Sequence, residues 1–397
     1  MNSTSIIPLL ALILVALGVA RLVDRLRPRP SDFGRVHTID GLRGWLAYFV
    51  FIHHASVWFF YLRVDRWDVP PSRLYTHLGE SSVALFFMIT GFLFSGKLLR
   101  AKSSGLDWLH LFVSRIMRLT PLYLVSVGLM LMIVTWMTNG QWNVNPMRAI
   151  RAAFEWLLFS IPGSPAVNGL SNTFSIMAGV TWSLRYEWLF YLFLPMLALA
   201  FGAPMERRWI AVSIAGCTLM LHFWKPELIR LVPFISGAGA AVLSLSPAFN
   251  RFAAHRAVSV AVVALVTIAV LAFPTVYQPE PILLLTIAFS LVANGNDLFG
   301  LLRARASLLI GDLSYGVYLV HGIILYILFE IVLGRPLATS LSVAAHWSLI
   351  ILASPLILGF AYLAFHWIER PCMNATASAL HMVSSYERKN RSYGGRS

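Results

Sequence analysis

Cysteine, charge and linker-type sequence are all scarce in this chain. Its 397 residues include two cysteines, Cys217 within an apolar stretch and Cys372 near the basic end. Neither a disulfide framework nor a cysteine metal site is therefore available. Only 12% of the residues are charged and 58% are hydrophobic, against about 25% and roughly 45–50% in soluble domains. That imbalance makes lipid the solvent. No low-complexity linker, soluble domain or obvious internal repeat interrupts the chain, and the missing repeat weighs against a transporter built from inverted halves.

What is there instead is a series of apolar runs. A spanning helix takes about 20 mainly apolar residues. Such windows occur near Ser5–Val23, Leu42–Leu62, Ser82–Leu99, Leu119–Met137, Glu187–Phe201 and Trp209–Trp224. Further windows lie near Leu228–Leu245, Ala257–Phe273, Ile282–Asn294, Leu308–Leu333 and Trp347–Trp367. The expectation is an all-α polytopic membrane protein with about 11 transmembrane helices, in which interior Pro195, Pro233 and Pro355 are tolerated because neighbours re-satisfy the backbone. The longest polar-leaning connection, Thr138–Tyr186, reads as loop from its Gly, Asn, Ser and Pro clusters, interrupted at Ala152–Ser160 by a short interfacial or re-entrant helix.

The few charges lean one way, with 31 Lys and Arg against 17 Asp and Glu, a formal net charge of +14. Clustered basic residues neutralise nucleic-acid phosphates, but here the excess is spread over alternate connections. Arg21, Arg25, Arg27, Arg29, Arg35 and Arg43 follow the first apolar window. By the positive-inside rule that stretch is cytoplasmic, the amino terminus lies outside, and the tail after Ile368 lies inside with Cys372. A lipid bilayer, and no nucleic acid, is the expected partner. Gly18-Val19-Ala20 resembles a cleavage site, but no positive segment precedes it, so the first helix reads as an uncleaved anchor.

Ionisable groups inside a bilayer are costly and mark cavities or partners, and four sites stand out. The first is Asp40-Gly41-Leu42-Arg43-Gly44, with His53 and His54 further along the same helix. Arg43 and His54 are within about 20° of the same helical face and roughly 16 Å apart along the axis, whereas His53 is turned about 80° away. A buried neutral imidazole can accept a hydroxyl proton; the alternative role for His54 is an interhelical packing bond. The second site, Arg115-Ile116-Met117-Arg118, puts two guanidinium groups on one face, suited to bidentate capture of phosphates or to simple anchoring at the cytoplasmic boundary.

The third, Trp182-Ser183-Leu184-Arg185-Tyr186-Glu187, brings a carboxylate to the outer end of a spanning window, with Arg185 beside it. Glu187 either orients an acceptor hydroxyl or a histidine, or makes an interfacial ion pair. The fourth, Gly311-Asp312-Leu313-Ser314-Tyr315-Gly316-Val317-Tyr318-Leu319-Val320-His321, carries Ser314, Tyr318 and His321 at i, i+4 and i+7, a polar stripe of the kind that bonds helices together.

In this order, the strings IDGLRG, HH, FFMITGFLFS, RIMRLTPLY, WSLRYEWLFYL, GDLSYGVYLVH and WIERP resemble the acyltransferase-three family of membrane O-acyltransferases. The resemblance covers roughly Arg35 to Arg370. It implies a ten-helix core that transfers acetyl or another small acyl group from a cytosolic acyl-CoA, acetyl-CoA in particular, to a hydroxyl of a surface glycan, lipid-linked glycan or small metabolite. It further implies a bacterial inner membrane, glycan-assembly partners, no permanently bound cofactor and no metal. Position by position, Arg43 and His54 match the family's arginine-to-histidine motif implicated in transfer, Arg115 and Arg118 its donor-engaging arginine pair, and Glu187 the first acid of a WSLSVEEQFY-like stretch. Here Arg185 stands where a small residue is usual and Trp188 replaces the second acid.

Three segments are expected: an anchor and basic linker over 1–34, an acyltransferase core over 35–370 and a basic cytoplasmic tail over 371–397. His54 would act as general base or acyl relay, with Arg43 orienting it or stabilising developing negative charge. The competing reading is a transporter or flippase of a glycan, lipid or metabolite, for which buried ionisable residues are equally expected.

Overall fold

A computed structural model describes residues 3–26, 36–101 and 105–381. Arg27, Arg29 and Arg35 of the basic cluster, and the tail beyond residue 381, lie outside the described residues. Among the described residues the fold is helical; the only β-type pairing is an isolated bridge between Val167 and Leu170.

The long helices are α1 (Ile6–Leu26), α2 (His37–Val64), α3 (Arg73–Arg100) and α4 (Trp108–Met137). Side-chain caps start two of them, Ser72 accepting from the Tyr75 amide and Asp107 from the His110 amide at 2.8 Å, which satisfies backbone donors that a helix start leaves open. The connection after α4 holds an amphipathic helix α5 (Pro146–Leu157) and a single turn α6 (Thr173–Ile176) before α7 (Trp182–Ala200). Then come α8 (Arg207–Phe223), α9 (Val232–Leu243), α10 (Pro247–Ala253), α11 (Val258–Ala272), α12 (Pro279–Ala293), α13 (Arg305–Asp312), α14 (Ser314–Tyr326), α15 (Arg335–Ser340) and α16 (Val343–Ala364). α14 continues through a π-helical turn to Val332, and the run begun by α16 continues to His381.

Among the described residues six helices are long and apolar enough to cross a membrane, or up to seven if the pair α9–α10, bent by 110°, is counted with its preceding turn as one span. The six comprise α1 to α4, Ser314–Val332 and Val343–His381. Most of the remaining apolar windows fold as shorter helices: α8, α9, α11 and α12 have 17, 12, 15 and 15 residues. The predicted window at Leu308–Leu333 is divided at Leu313, which separates α13 from α14. The helix expected at Ala152–Ser160 starts earlier, at Pro146, where Pro at the first position and the Asn145 side chain on the Met147 amide at 2.9 Å favour initiation.

α2 is the central helix, with 83% of its spanning window buried against 28% for α1. Outward-facing Leu14, Met132, Leu219, Val260 and Leu352 are all more than half exposed, as a lipid-facing surface requires. Where lipid gives helices little hydrophobic reason to associate, close backbone approach and hydrogen bonds hold the bundle. A Cβ at Gly91 would stand 2.1 Å from the Phe234 carbonyl oxygen, and one at Gly237 2.0 Å from that of Met88, so α3 and α9 touch backbone to backbone. The Tyr48 hydroxyl bonds the Leu12 carbonyl at 2.9 Å and Ser354 Oγ at 2.6 Å, tying α1, α2 and α16.

Candidate functional site

Three adjoining cavities run along α2 and contain most of the singled-out polar residues. The first opens at the end of the bundle where α2 and α4 begin and α3 ends. Asp40, Arg43, Lys97, Arg100, Arg115 and Arg118 line it, with Glu369 facing them. The glycines of the IDGLRG string set this geometry: a Cβ at Gly44 would lie 2.5 Å from the Gly311 amide nitrogen, and one at Gly41 1.9 Å from the Leu302 carbonyl oxygen. Helix α2 therefore lies directly on α13 and its preceding turn, which brings Arg43 to the mouth beside Asp312. Among the described residues no carboxylate lies within ion-pair distance of Arg43, Arg115 or Arg118. Arg115 lies over the Phe94 ring at 5.3 Å. A mouth so rich in cations attracts an anion and gives it donors in fork geometry.

The second cavity shares Arg43, Arg115 and Arg118 with the first and continues to Thr90, Glu187, Tyr191, Ser314 and Tyr318. Glu187 accepts from Thr90 at 3.4 Å and from the Tyr191 hydroxyl at 3.5 Å. This corrects the expectation that Glu187 sits at the outer boundary with Arg185 as its neighbour. The reason is the segment before α7, in which Thr173, Ser175, Ile176, Met177, Val180 and Thr181 are all buried. The chain is already inside the bundle when α7 starts at Trp182, so Glu187 lies more than a turn deeper still. Gly322 makes room for this intrusion, since a Cβ there would stand 2.5 Å from the Met177 carbonyl carbon. Arg185 instead donates to Ser164 Oγ at 2.8 Å, away from the cavity.

The third cavity shares Val83 and Tyr318 with the second. It contains His53, His54, Trp67, Asp68, Glu80 and Arg230. His53 is buried, donates from Nδ1 to the Tyr75 carbonyl at 2.7 Å and packs so tightly that a Cβ at Gly79 would lie 2.5 Å from its ring; it serves as a fastener between α2 and α3. His54 makes a helix-internal bond from Nδ1 to the Val50 carbonyl at 3.0 Å and lies 3.1 Å from His321 Nε2. Trp67 is roughly parallel to the His54 ring at 6.2 Å.

The stripe on α14 is divided between two tasks. Tyr318 joins helices, with its hydroxyl 2.7 Å from Ser183 Oγ and 3.1 Å from the Val180 carbonyl, while His321 reaches His54 and Ser314 lines the middle cavity. Residues 36–366 match the model of a family described as an acyltransferase domain. The chain belongs to this acyltransferase family. A similar protein is nodulation protein 10 of Rhizobium leguminosarum bv. viciae, 26% identical over 339 residues that cover 75% of this chain and 83% of that protein. No solved structure matches the chain. Family membership and the apolar helices together make this an integral membrane protein of the acyltransferase family.

Several lining residues escaped sequence reasoning. Lys97 and Arg100 look like ordinary boundary anchors when read in line. Glu80 could have been noticed as a carboxylate at the start of an apolar run; it accepts from Thr275 Oγ1 at 2.5 Å and from the Val276 amide at 3.2 Å. Glu369 of the WIERP string is buried with one oxygen unpartnered, and only the fold puts it opposite the arginines.

Proposed function

We propose that the protein is a membrane O-acyltransferase that moves an acyl group, acetyl in the first instance, from cytosolic acyl-CoA to a hydroxyl of a cell-surface or lipid-linked glycan. The observation that carries this reading is the succession of three adjoining cavities with shared lining residues, from the cation-rich mouth through the Glu187 chamber to that of His54. A donor whose nucleotide phosphates rest on Arg115 and Arg118 has a slender arm that can extend past Arg43 and Tyr191, while an acceptor enters from the opposite end. Trp67 and Trp182 beside Asp68, Glu80 and Arg230 offer apolar faces flanked by hydrogen-bonding groups, a surface that suits a sugar ring.

In the proposed step the acceptor oxygen bonds to the acyl carbon while His54 Nε2 takes the hydroxyl proton. The carbon–sulfur bond then breaks, and the proton passes from His54 to the departing sulfur, so that coenzyme A leaves as the free thiol. Arg43, which lines the mouth and the middle cavity, holds and guides the donor there, and Glu187 with Tyr191 shapes the route by which the thioester reaches the chamber of His54. No permanently bound cofactor is required. The same reading takes residues 35–370 as the catalytic core, 1–34 as an anchor with a basic linker and 371–397 as a cytoplasmic tail. It assigns about eleven crossings if the shorter apolar helices also span, as proline-bearing and broken helices do in membrane bundles.

The location that follows is a bacterial inner membrane, with the amino terminus outside and the carboxyl terminus in the cytoplasm. Surface glycans from cells with the gene, without it and with His54→Ala test the acceptor, by mass spectrometry and proton NMR. An ester-linked acyl group present only with the wild-type gene is the expected result. Unchanged glycans in all three strains would exclude a glycan acceptor. Consumption of acyl-CoA separates this reading from a transporter or flippase, which leaves the thioester intact.

A further inference from the structure

The contact between His54 and His321 has a directional logic that neither residue shows alone. His54 Nδ1 is 3.0 Å from the Val50 carbonyl oxygen, and His321 Nδ1 is 2.8 Å from that of Val317. A carbonyl only accepts, so each Nδ1 must carry the hydrogen. His321 Nε2 then holds a lone pair if its ring is neutral, and it lies 3.1 Å from His54 Nδ1. The His54 N–H is thus shared between the Val50 carbonyl and the His321 ring. A hydrogen on His321 Nε2 would point at the one on His54, so this arrangement selects the neutral, Nδ1-protonated form of His321.

We propose that His321 is a positioning residue that acts with the Val50 carbonyl as the second acceptor for His54, holding the ring in place with its hydrogen on Nδ1 and the lone pair on Nε2. The inference rests on the reading of His54 as general base. Among the described residues no protein group bonds His54 Nε2, and His54 lines the outer cavity, where an acceptor hydroxyl would meet that lone pair. When His54 takes the proton, its Nδ1–H becomes a charge-assisted donor and His321 Nε2 is the acceptor already aligned with it. Orientation of a base by a third group is a general device of nucleophilic sites, here supplied by an imidazole. Position reinforces the pairing: His321 is fully buried, its ring lies roughly parallel to that of His54 at a centroid distance of 5.1 Å, and Phe51 packs on it at 6.3 Å. A residue needed only to fill this space would require no acceptor nitrogen on that side.

The test compares His321→Phe, which keeps a ring but no acceptor, with His321→Gln, whose amide oxygen can accept from His54. In membranes supplied with radiolabelled acetyl-CoA, His321→Phe should lower kcat about 10- to 100-fold, a part of the about 10² to 10⁴ that general-base help supplies, with KM for the donor unchanged. His321→Gln should recover a substantial part of that loss. The residual activity of His54→Ala should be no lower when His321→Phe is added, because a group acting through His54 has nothing left to act on.

Nitrogen NMR of the purified, histidine-labelled wild-type protein reads the tautomer without relying on variants, and it should find His54 protonated at Nδ1 alone. Full kcat in a well-expressed His321→Phe protein while His54→Ala is inactive would overturn the inference and leave the base assignment standing. An Nε2-protonated His54 in the wild type would also overturn it. Full activity in His54→Ala would instead remove the base assignment itself.

Discussion

Arg115 and Arg118 show what one turn of helix can do when it gathers two cations at a cavity. They share a face of α4 and line two cavities, and no carboxylate lies within ion-pair distance among the described residues. An anion entering the mouth therefore gains charge-assisted bonds worth about 1.5–3 kcal/mol each. Arg118→Ala is expected to raise KM for acyl-CoA by about 10- to 100-fold, the equivalent of one such bond, while leaving KM for the acceptor near its original value. Arg118→Lys should restore charge but not the fork, and so recover only part of the loss. Steady-state kinetics with the donor varied at fixed acceptor checks both; an acceptor-only effect would move these arginines out of the donor site.

At this scale the sequence was partly readable. The helical period aligned Arg43 with His54, and both line the run of cavities. The depth of Glu187 and the reach of His321 depend on contacts far apart in sequence, the buried approach to α7 in one case and the pairing of α14 with α2 in the other.

At the scale of elements, the bundle depends on glycines at crossings. The absence of a side chain at Gly91 lets α3 rest on the α9 backbone, and a Cβ would meet Phe234 backbone at 2.1 Å. Backbone cannot give way as a flexible side chain can. Gly91→Ala is expected to cost about 1–3 kcal/mol, the usual penalty of overpacking, seen as a lower unfolding temperature in detergent. Gly18→Ala on lipid-exposed α1, where nothing lies within 4 Å, is the control and should leave that temperature unchanged. Equal effects from the two would contradict the crossing.

Strong apolar runs made α1 to α4, and the last two candidate spans, legible from composition. The connection between α4 and α7 was not, because its polarity reads as an exposed loop. Buried, its polar groups are bonded internally: the Val167 amide donates to Thr173 Oγ1 at 3.0 Å, and Asn168 reaches Thr138 Oγ1 at 3.0 Å and the Gln141 carbonyl at 2.8 Å. Hydropathy cannot register such satisfaction.

For the whole molecule, the claims about orientation and chemistry depend on each other. Lys97, Arg100, Arg115 and Arg118 gather at one end of the bundle, and the proposed use of a cytosolic donor requires that end to face the cytoplasm, as the positive-inside rule predicts. His54 faces a chamber nearer the other end. Single cysteines placed at Asn2 and Ser397, in a protein lacking Cys217 and Cys372, should be labelled by a membrane-impermeant thiol reagent only at Asn2 in intact spheroplasts. Labelling at Ser397 instead would put the arginine mouth on the wrong side for a cytosolic donor.

The account stands most directly on transfer through His54. Membranes containing equal amounts of wild-type or His54→Ala protein would be given radiolabelled acetyl-CoA, and the label counted in the lipid-linked and polysaccharide fractions after mild alkali distinguishes esters. The account predicts alkali-labile label with the wild type and a fall of about 10² to 10⁴ with His54→Ala. Equal labelling by the two proteins would contradict it.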